Sequence, residues 1–506
     1  MYVKTKTYTR EDLYKLYDSD REATVDLLQS FVDQVPSLVG TVESMKREII
    51  QLKSTIIDLQ EQVHQLESQR DTDSHNSHKP PSSDGLQRTT KSQRTKSDRP
   101  SGGQDKHEGS TLRRSEHPDV IVTHKVNTRC VCGHSLERVR ARTIEKRQVF
   151  DIPVVGIQVT EHQCEVKECP SCGTTTVVSF PAGLTKVAQY GKNIKSFATY
   201  LMQFQLLPSE RTKELLQEVF GCSVSEGTLF NWNKEIHATV QDSEQQIKEQ
   251  LLHSPVIHAD ETGIFCTSKL QWLHVASTPK LTFYQIHAKR GTEAMDAIDI
   301  FTRYTGTAVH DFWKSYFDYD CNHGICNSHL IRELIFVHEQ FRQWWAKDLI
   351  ALVTRIDKSV ARAKELGKKS LTTRRLRSFE QQYHAIVQRG LRSNPRLRGS
   401  PHQRGRKKQS KARNLLERLR DYSSAVLAFM YDFDVPFTNN QAERDVRMAK
   451  VKQKISGTFR STLGAEIFCR VRGYISTARK NGLSAFDAVS RAFDGIPFVP
   501  NIIYAE

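Results

Sequence analysis

The chain has 506 residues, with 74 Lys and Arg against 58 Asp and Glu, a net charge of +16, 38% hydrophobic residues and 26% charged residues. That length predicts two to four domains and a sizeable core. No apolar run reaches the roughly 18 residues of a bilayer-spanning helix, so no such helix is expected, and the polar start from Met1 to Asp20 does not read as a signal peptide. The basic excess is local: Arg355 to Arg420 holds 21 Lys and Arg against 4 Asp and Glu, leaving 53 against 54 elsewhere. Such a segment is expected to face a polyanion.

Taken in order, the first element is a helical arm over residues 1–70. Leu38, Val42, Met45, Ile49, Leu52, Ile56, Leu59, Val63 and Leu66 alternate spacings of four and three, an a/d seam that a helix buries best against a copy of itself. A coiled-coil homo-oligomer is expected. Residues 71–118 have only Leu86 and Leu112 as large apolar side chains, and so read as a basic, disordered linker.

Residues 119–182 hold Cys130-Val131-Cys132-Gly133 and Cys169-Pro170-Ser171-Cys172-Gly173, half of the chain's ten cysteines falling between positions 130 and 172. The spacing points to one structural Zn²⁺ held by Cys130, Cys132, Cys169 and Cys172 in a reducing compartment, with Cys164, His134 and His162 as substitute ligands. Gln148 to Pro153 and Gly156 to Thr160 read as strands between the knuckles, which makes this a small β module. Residues 183–253 follow as a helical region. Ser209 to Phe220, the turn Gly221-Cys222 and a Ser225-capped helix have the order of a helix-turn-helix, with Asn231, Asn233 and Lys234 predicted on the exposed, DNA-facing side.

The catalytic domain is expected over residues 254–480, with a basic helical insertion at about 350–425 and a tail over 481–506. Val256 and Ile257 run into Asp260-Glu261-Thr262-Gly263, which reads as a buried strand presenting Asp260 at its end. A second short run, Thr307-Ala308-Val309, delivers Asp311, and Asn439-Asn440-Gln441-Ala442-Glu443 places Glu443 in a first helical turn. Three carboxylates of this kind suit a hard divalent cation, so Asp260, Asp311 and Glu443 are read as one metal site. Glu261 is set aside because successive strand residues face opposite ways. Asp318, Asp320, Glu333, Asp432 and Asp434 are read as surface or supporting groups. Asn440 and Glu443 also have capping-box spacing. The predicted order of strands and helices, three strands, helix, two strands, helix, is that of an RNase H-like fold. Arg404, Arg406, Lys407 and Lys408 in the insertion, with Arg444, Arg447 and Lys452 beyond Glu443, are candidate phosphate contacts.

These motifs resemble the DDE transposases of the insertion-sequence-66 family, and the resemblance covers nearly the whole chain. It rests on Asn76 to Gly85 after the arm, on the cysteine module, on Asp260-Glu261-Thr262, on Asp311 with Tyr316, on Cys326-Asn327-Ser328-His329-Leu330-Ile331-Arg332, and on Asn439-Asn440-Gln441-Ala442-Glu443-Arg444 with Lys452, Ser456-Gly457 and Phe459-Arg460-Ser461. The family's usual C-x-x-C is C-x-C at Cys130. The resemblance implies a multidomain α+β protein of the bacterial cytoplasm or nucleoid. It implies two Mg²⁺ (or Mn²⁺) ions, with Asp260 bridging both and Asp311 and Glu443 holding one each, for cleavage and strand transfer at terminal inverted repeats. Double-stranded DNA and element-encoded accessory proteins are the implied partners. The alternatives are a helix-turn-helix DNA-binding protein with an inactive catalytic domain and an RNase H-like nuclease.

Overall fold

A computed structural model describes residues 8–70, 75–77, 112–125, 129–151, 156–396 and 409–501. The chain divides into two compact units, Met1–Lys91 with Glu339–Phe341, and Ser92–His338 with Arg342–Glu506.

In the first unit a short helix α1 (Arg10–Ser19) precedes α2 (Arg21–Arg70), a single helix of 50 residues that carries Pro36 inside it. Thr9 caps α1 in a capping box with Asp12. The seam residues Leu38, Val42, Met45, Ile49, Leu52, Ile56 and Leu59 are all at least half exposed. Val63 and Leu66 lie outside the described side chains, as do His78 to Gly85 of the linker.

In the second unit the cysteine segment contains two three-residue strands, β1 (Val166–Glu168) and β2 (Thr175–Val177), paired antiparallel around the Cys169–Cys172 turn. The strands predicted around Gln148 and Gly156 are not formed: residues 148–151 and 156–160 have no strand pairing, and 152–155 lie outside the described residues. Their alternating pattern has no partner strand to pair with, so the pattern alone does not make a strand. Gln148 instead bonds the backbone of Ser115 through both ends of its amide.

The helical region comprises α3 (Lys192–Thr199), a π-helical turn over Tyr200–Phe204, α4 (Ser209–Phe220), α5 (Glu226–Thr239) and α6 (Gln241–Leu252). Gly221 ends α4 in the left-handed conformation with φ 68°, and the Ser225 hydroxyl accepts from Thr228 N to cap α5.

A five-stranded mixed sheet follows: β3 (Val256–Cys266), β4 (Lys269–Ser277), β5 (Thr282–His287), β6 (Thr307–His310) and β7 (Asn322–Ile325). Its order is β5-β4-β3-β6-β7, antiparallel on the β4 and β5 side and parallel on the β6 and β7 side. Helix α7 (Thr292–Ile298) lies between β5 and β6, and α8 (Asn327–Phe341) follows β7. The two faces of the sheet bury different sets. Ile257, Ala259, Ala276 and Phe283 pack with Ile247, Met295, Ile298 and Tyr316. Ile264, Leu273, Val275, Tyr284 and Ile286 pack with Ala442, Val446, Ala449 and Phe468.

The basic segment is helical: α9 (Trp344–Glu365), α10 (Thr373–Ser393), α11 (Lys411–Asp421) and α12 (Ser423–Tyr431). Glu443 arrives on α13 (Asn440–Ser456), and α14 (Thr462–Lys480) follows. The stretch read as a tail contains α15 (Ala485–Phe493), whose Ala485, Ala488, Val489 and Ala492 are buried with Ile236 of α5 and Ile467, Val471 and Tyr474 of α14. Its apolar residues recur at three- and four-residue spacing, the signal of a packed helix.

Candidate active site

Alternation along β3 puts Asp260 on the same face as Ile264 and Cys266, the face covered by α13. Glu261 points to the other face, where Tyr316 packs. Asp311 follows directly on β6, and its Oδ1 accepts from Trp313 N at 2.9 Å. Glu443 is in the first turn of α13. The three carboxylates thus come from three elements, and they meet electrostatically at Asp260. Burial, and then the charges of Glu261, Asp311 and Glu443, hold the Asp260 carboxyl well above the usual range. Among the described residues, the oxygens of Asp260, Asp311 and Glu443 do not all lie within 4.8 Å of one another.

Two clamps position this set, and both are anchored on β3. The first is Asn439, buried just ahead of α13. Its Nδ2 donates to Ala259 O at 2.7 Å, His258 Nδ1 donates to its Oδ1 at 2.9 Å, and its backbone N–H donates to Cys326 Sγ at 3.2 Å. Burial holds His258 below its ordinary value, so it makes this bond as a neutral ring. The capping box expected from Asn440 to Glu443 is replaced. Asn439 is the residue before the helix, its side chain caps nothing within α13, and the Glu443 carboxylate lies by Cys326 and His329. Asp445, one turn on, holds α13 to α14 through Lys480 at 2.8 Å.

The second clamp is Glu261, whose side chain is 1% exposed. It accepts from Tyr316 Oη at 2.5 Å and from Arg290 Nη2 at 2.6 Å. Arg290 is sandwiched between the rings of Trp272, 4.9 Å away, and Trp313, 4.3 Å away. Trp313 and Tyr316 lie in the segment just after Asp311, so Glu261 fastens that segment to β3. Burial and the Asp311 charge push the Glu261 carboxyl up, against the pull of Tyr316 and Arg290. Setting Glu261 aside as a ligand agrees with its direction, but the reading from sequence missed its role as an anchor. The signal was present in paired carboxylates followed, some fifty residues on, by Trp313-Lys314-Ser315-Tyr316.

Behind Asp311, His310 is fully enclosed, stacked on Tyr316 at 4.3 Å and bonded through Nε2 to His323 Nδ1 at 3.0 Å. Burial takes its pKa down to about 3, so the ring is neutral.

Residues read as nucleic-acid contacts divide. Asn231 and Lys234 are exposed on α5. Asn233 is a correction: it is 2% exposed, and its amide accepts from Gln203 Nε2 at 2.7 Å and donates to Leu229 O at 2.8 Å. It lies one residue from the buried Trp232, and the helical turn carries it into the core. Arg444 and Arg447 are exposed on α13. Lys452 is half-buried and donates to Ser456 Oγ at 3.2 Å, and burial brings its pKa down to about 8. Arg404, Arg406, Lys407 and Lys408 lie outside the described residues, while Arg374, Arg375 and Arg377 are exposed along α10.

The cysteine knuckles are two matching turns. Cys130 N bonds His134 O at 2.9 Å and Gly133 N bonds Cys130 O at 2.8 Å; Cys169 N bonds Thr174 O and Gly173 N bonds Cys169 O at 2.9 and 2.8 Å. Gly133 and Gly173 have φ 89° and 71°, which only glycine adopts cheaply. Hydrogen bonds to Cys132 hold the Cys130 thiol below its usual range, and those to Thr174 do the same for Cys172. Each knuckle pairs its own thiols. Among the described residues, no three of these cysteines, with or without His134 or His162, come within 4.8 Å of one another.

Residues 188–467, over half of the chain, match a family model described as Transposase IS66 family, and residues 28–113 match a family of unknown function (DUF6444). No curated protein matches the chain.

Proposed function

The chain belongs to the IS66 family of transposases, and from that premise we propose that it is a DDE enzyme with an RNase H-like catalytic domain, working on the terminal inverted repeats of its own element. Membership implies DNA as substrate, strand cleavage and joining as the general activity, and the use of divalent metal. The observation that carries the finer reading is the convergence of Asp260, Asp311 and Glu443 from three separate elements, with the crowding of negative charge felt at Asp260.

Such a cluster fits hard cations, because carboxylate oxygens are what Mg²⁺ and Mn²⁺ take and a positive charge relieves the mutual repulsion. The resemblance to the family's two-ion chemistry supports a pair of ions held by these three carboxylates. Asp260 would serve both, Asp311 one and Glu443 the other. When bound, the ions supply Lewis-acid activation and charge neutralisation at the phosphoryl group. The chain's own part is positional: Asn439 fixes Glu443 against β3, and Glu261 with Arg290 and Tyr316 fixes the segment that carries Asp311. Water then attacks the phosphodiester at the element's end, and the freed 3′-OH attacks target DNA.

Around this centre, α4 and α5 serve as a helix-turn-helix that presents Asn231 and Lys234, and the basic helices α9 to α11 with Arg444 and Arg447 hold phosphates. The seam of α2 pairs copies of the chain. The four knuckle cysteines take one Zn²⁺ when the two turns are brought together. Among the described residues no helix is long and apolar enough to cross a membrane, and the protein works on nucleoid DNA in the cytoplasm, with accessory proteins of the element as further partners.

The test is Glu443→Gln, with Asp260→Asn and Asp311→Asn beside it. Each should keep binding to the repeat ends and lose Mg²⁺-dependent cleavage. Near-normal cleavage by Glu443→Gln removes it from the catalytic set. Repeat binding by the wild type with no cleavage under any divalent cation supports a helix-turn-helix regulator, and cleavage without strand transfer supports a nuclease.

A further inference from the structure

Beside Glu443 stands a donor set of another chemical kind, Cys326 and His329. We propose that Cys326, His329 and Glu443 form a site for a thiophilic divalent cation of the zinc class, and that its occupation withdraws Glu443 from catalysis. The inhibitory half rests on the catalytic reading of Glu443; the binding half does not.

The three ligand atoms all lie within 4.8 Å of one another, the one such group of three or more among the described residues. Cys326 Sγ is 3.5 Å from Glu443 Oε1, and His329 Nε2 is 3.7 Å from the same oxygen. With zinc bond lengths of about 2.3 Å to sulfur and about 2.0–2.2 Å to nitrogen and oxygen, a tetrahedron has edges of about 3.6 Å for S to O and about 3.3 Å for N to O. The observed spacings are within a few tenths of an ångström of those edges.

The placement follows from the fold. Cys326 stands just ahead of α8 and His329 is three residues on, so one helical turn brings both to the same side. Glu443 reaches them from the first turn of α13. The Asn439 N–H that bonds the sulfur at 3.2 Å is the kind of outer hydrogen bond that orients and tunes a thiolate ligand. Three protein ligands leave the fourth position to water. On loading, the S–H bond of Cys326 breaks, its proton goes to solvent, and the sulfur–metal bond forms in its place. Mg²⁺ has little use for this set, because it wants oxygen donors in an octahedron, whereas sulfur with imidazole selects zinc. One carboxylate oxygen is then shared between two incompatible demands.

Zinc content of the full-length protein, loaded with a small excess of Zn²⁺ and then desalted, decides the binding half. Wild type should hold one equivalent more than Cys326→Ser and one more than His329→Gln, whatever the knuckle cysteines retain, since all three proteins share them. Co²⁺ in place of Zn²⁺ should show thiolate-to-metal charge-transfer absorption that is weaker in Cys326→Ser than in wild type. Should Cys326→Ser fail to fold, as judged by its thermal melt, His329→Gln decides, because His329 is only half-buried. Equal zinc in wild type and folded His329→Gln overturns the site. For the second half, Zn²⁺ should inhibit Mg²⁺-dependent cleavage by wild type, and His329→Gln, normalised to its own zinc-free rate, should need at least about tenfold more zinc. Bound zinc with no inhibition overturns the inhibitory role. Absence of cleavage in every protein is a failure of the catalytic reading, and the zinc difference still decides the site.

Discussion

The cysteine segment and the five-stranded sheet belong to one unit and are built on opposite principles. In the sheet, Ile257, Ile264 and Leu273 have no exposed surface, and β3, β4 and β5 each pack apolar residues on both faces against helices. In the cysteine segment Val131, Val149 and Val159 are almost wholly exposed, and both strands are exposed along their length. The sheet gets its shape from burial, at roughly 25 cal/mol for each Å² of apolar surface removed from water. The cysteine segment has nothing comparable to bury. Its order is a two-stranded hairpin, two glycine turns and a few exposed hydrogen bonds, none of which buries an apolar core. A region can thus have well-defined local turns without the buried core that shapes the sheet.

The largest expected effect sharpens this contrast. Cys169→Ser should lower zinc content and open residues 120–181 to protease while leaving the melt of the sheet domain in place. A segment that resists protease without zinc would break the comparison. Gly306→Ala strikes the other region. A Cβ there would stand 2.7 Å from Pro255 O and against the Tyr304 hydroxyl, and the overpacking should cost about 1–3 kcal/mol in denaturant melts. An unchanged midpoint would mean that the sheet domain yields more than its burial implies.

A smaller effect, of opposite sign, is expected at Asp260. Its folded-state pKa lies above the ordinary 3.8, so the folded protein holds that proton more tightly than the unfolded chain. Stability is then greatest below pH 3.8 and declines as pH rises from there to the folded value, leaving a net cost at neutral pH. Asp260→Asn should therefore raise the melting temperature at pH 7 in metal-free buffer, and the gain should vanish in acid. A gain that persists at low pH would assign the effect to packing. The smallest effect is in binding: changing Arg374, Arg375 and Arg377 to Gln should reduce the salt dependence of DNA affinity by about 0.9 in log–log slope for each phosphate the variant no longer neutralises. An unchanged slope would turn α10 away from DNA.

The same contrast explains what was legible in sequence. The strand that carries Asp260 and the order of strands and helices after it could be read because apolar runs and turn residues are local signals, but the strand does not end at Asp260: it runs on through Gly263 to Cys266, paired with β4 along the way. So could the long helix α2. The Asn439 clamp could not, because it joins residues 180 and 181 positions apart, and no spacing rule connects an asparagine to His258 and Ala259. Local logic favoured Asn440 as a cap, and tertiary packing used its neighbour otherwise. Asn233 failed similarly: a polar residue beside Trp232 looks exposed until Gln203 is found bonded to it. Gln148 to Thr160 misled in the opposite direction, with a strand pattern but no partner strand.

The 50-residue α2 has a further consequence. At 1.5 Å per residue it is roughly 75 Å long, close to the rise of 22 base pairs of duplex at 3.4 Å each. Two such helices joined along the Leu38–Leu66 seam side by side in the same direction bring their carboxy-terminal ends together; joined antiparallel along it they hold those ends roughly 54 Å apart, since Arg70 lies 18 residues past the seam's midpoint on each copy. Polarity of pairing, more than its strength, would then set whether two copies reach adjacent stretches of DNA or stretches about one and a half helical turns apart.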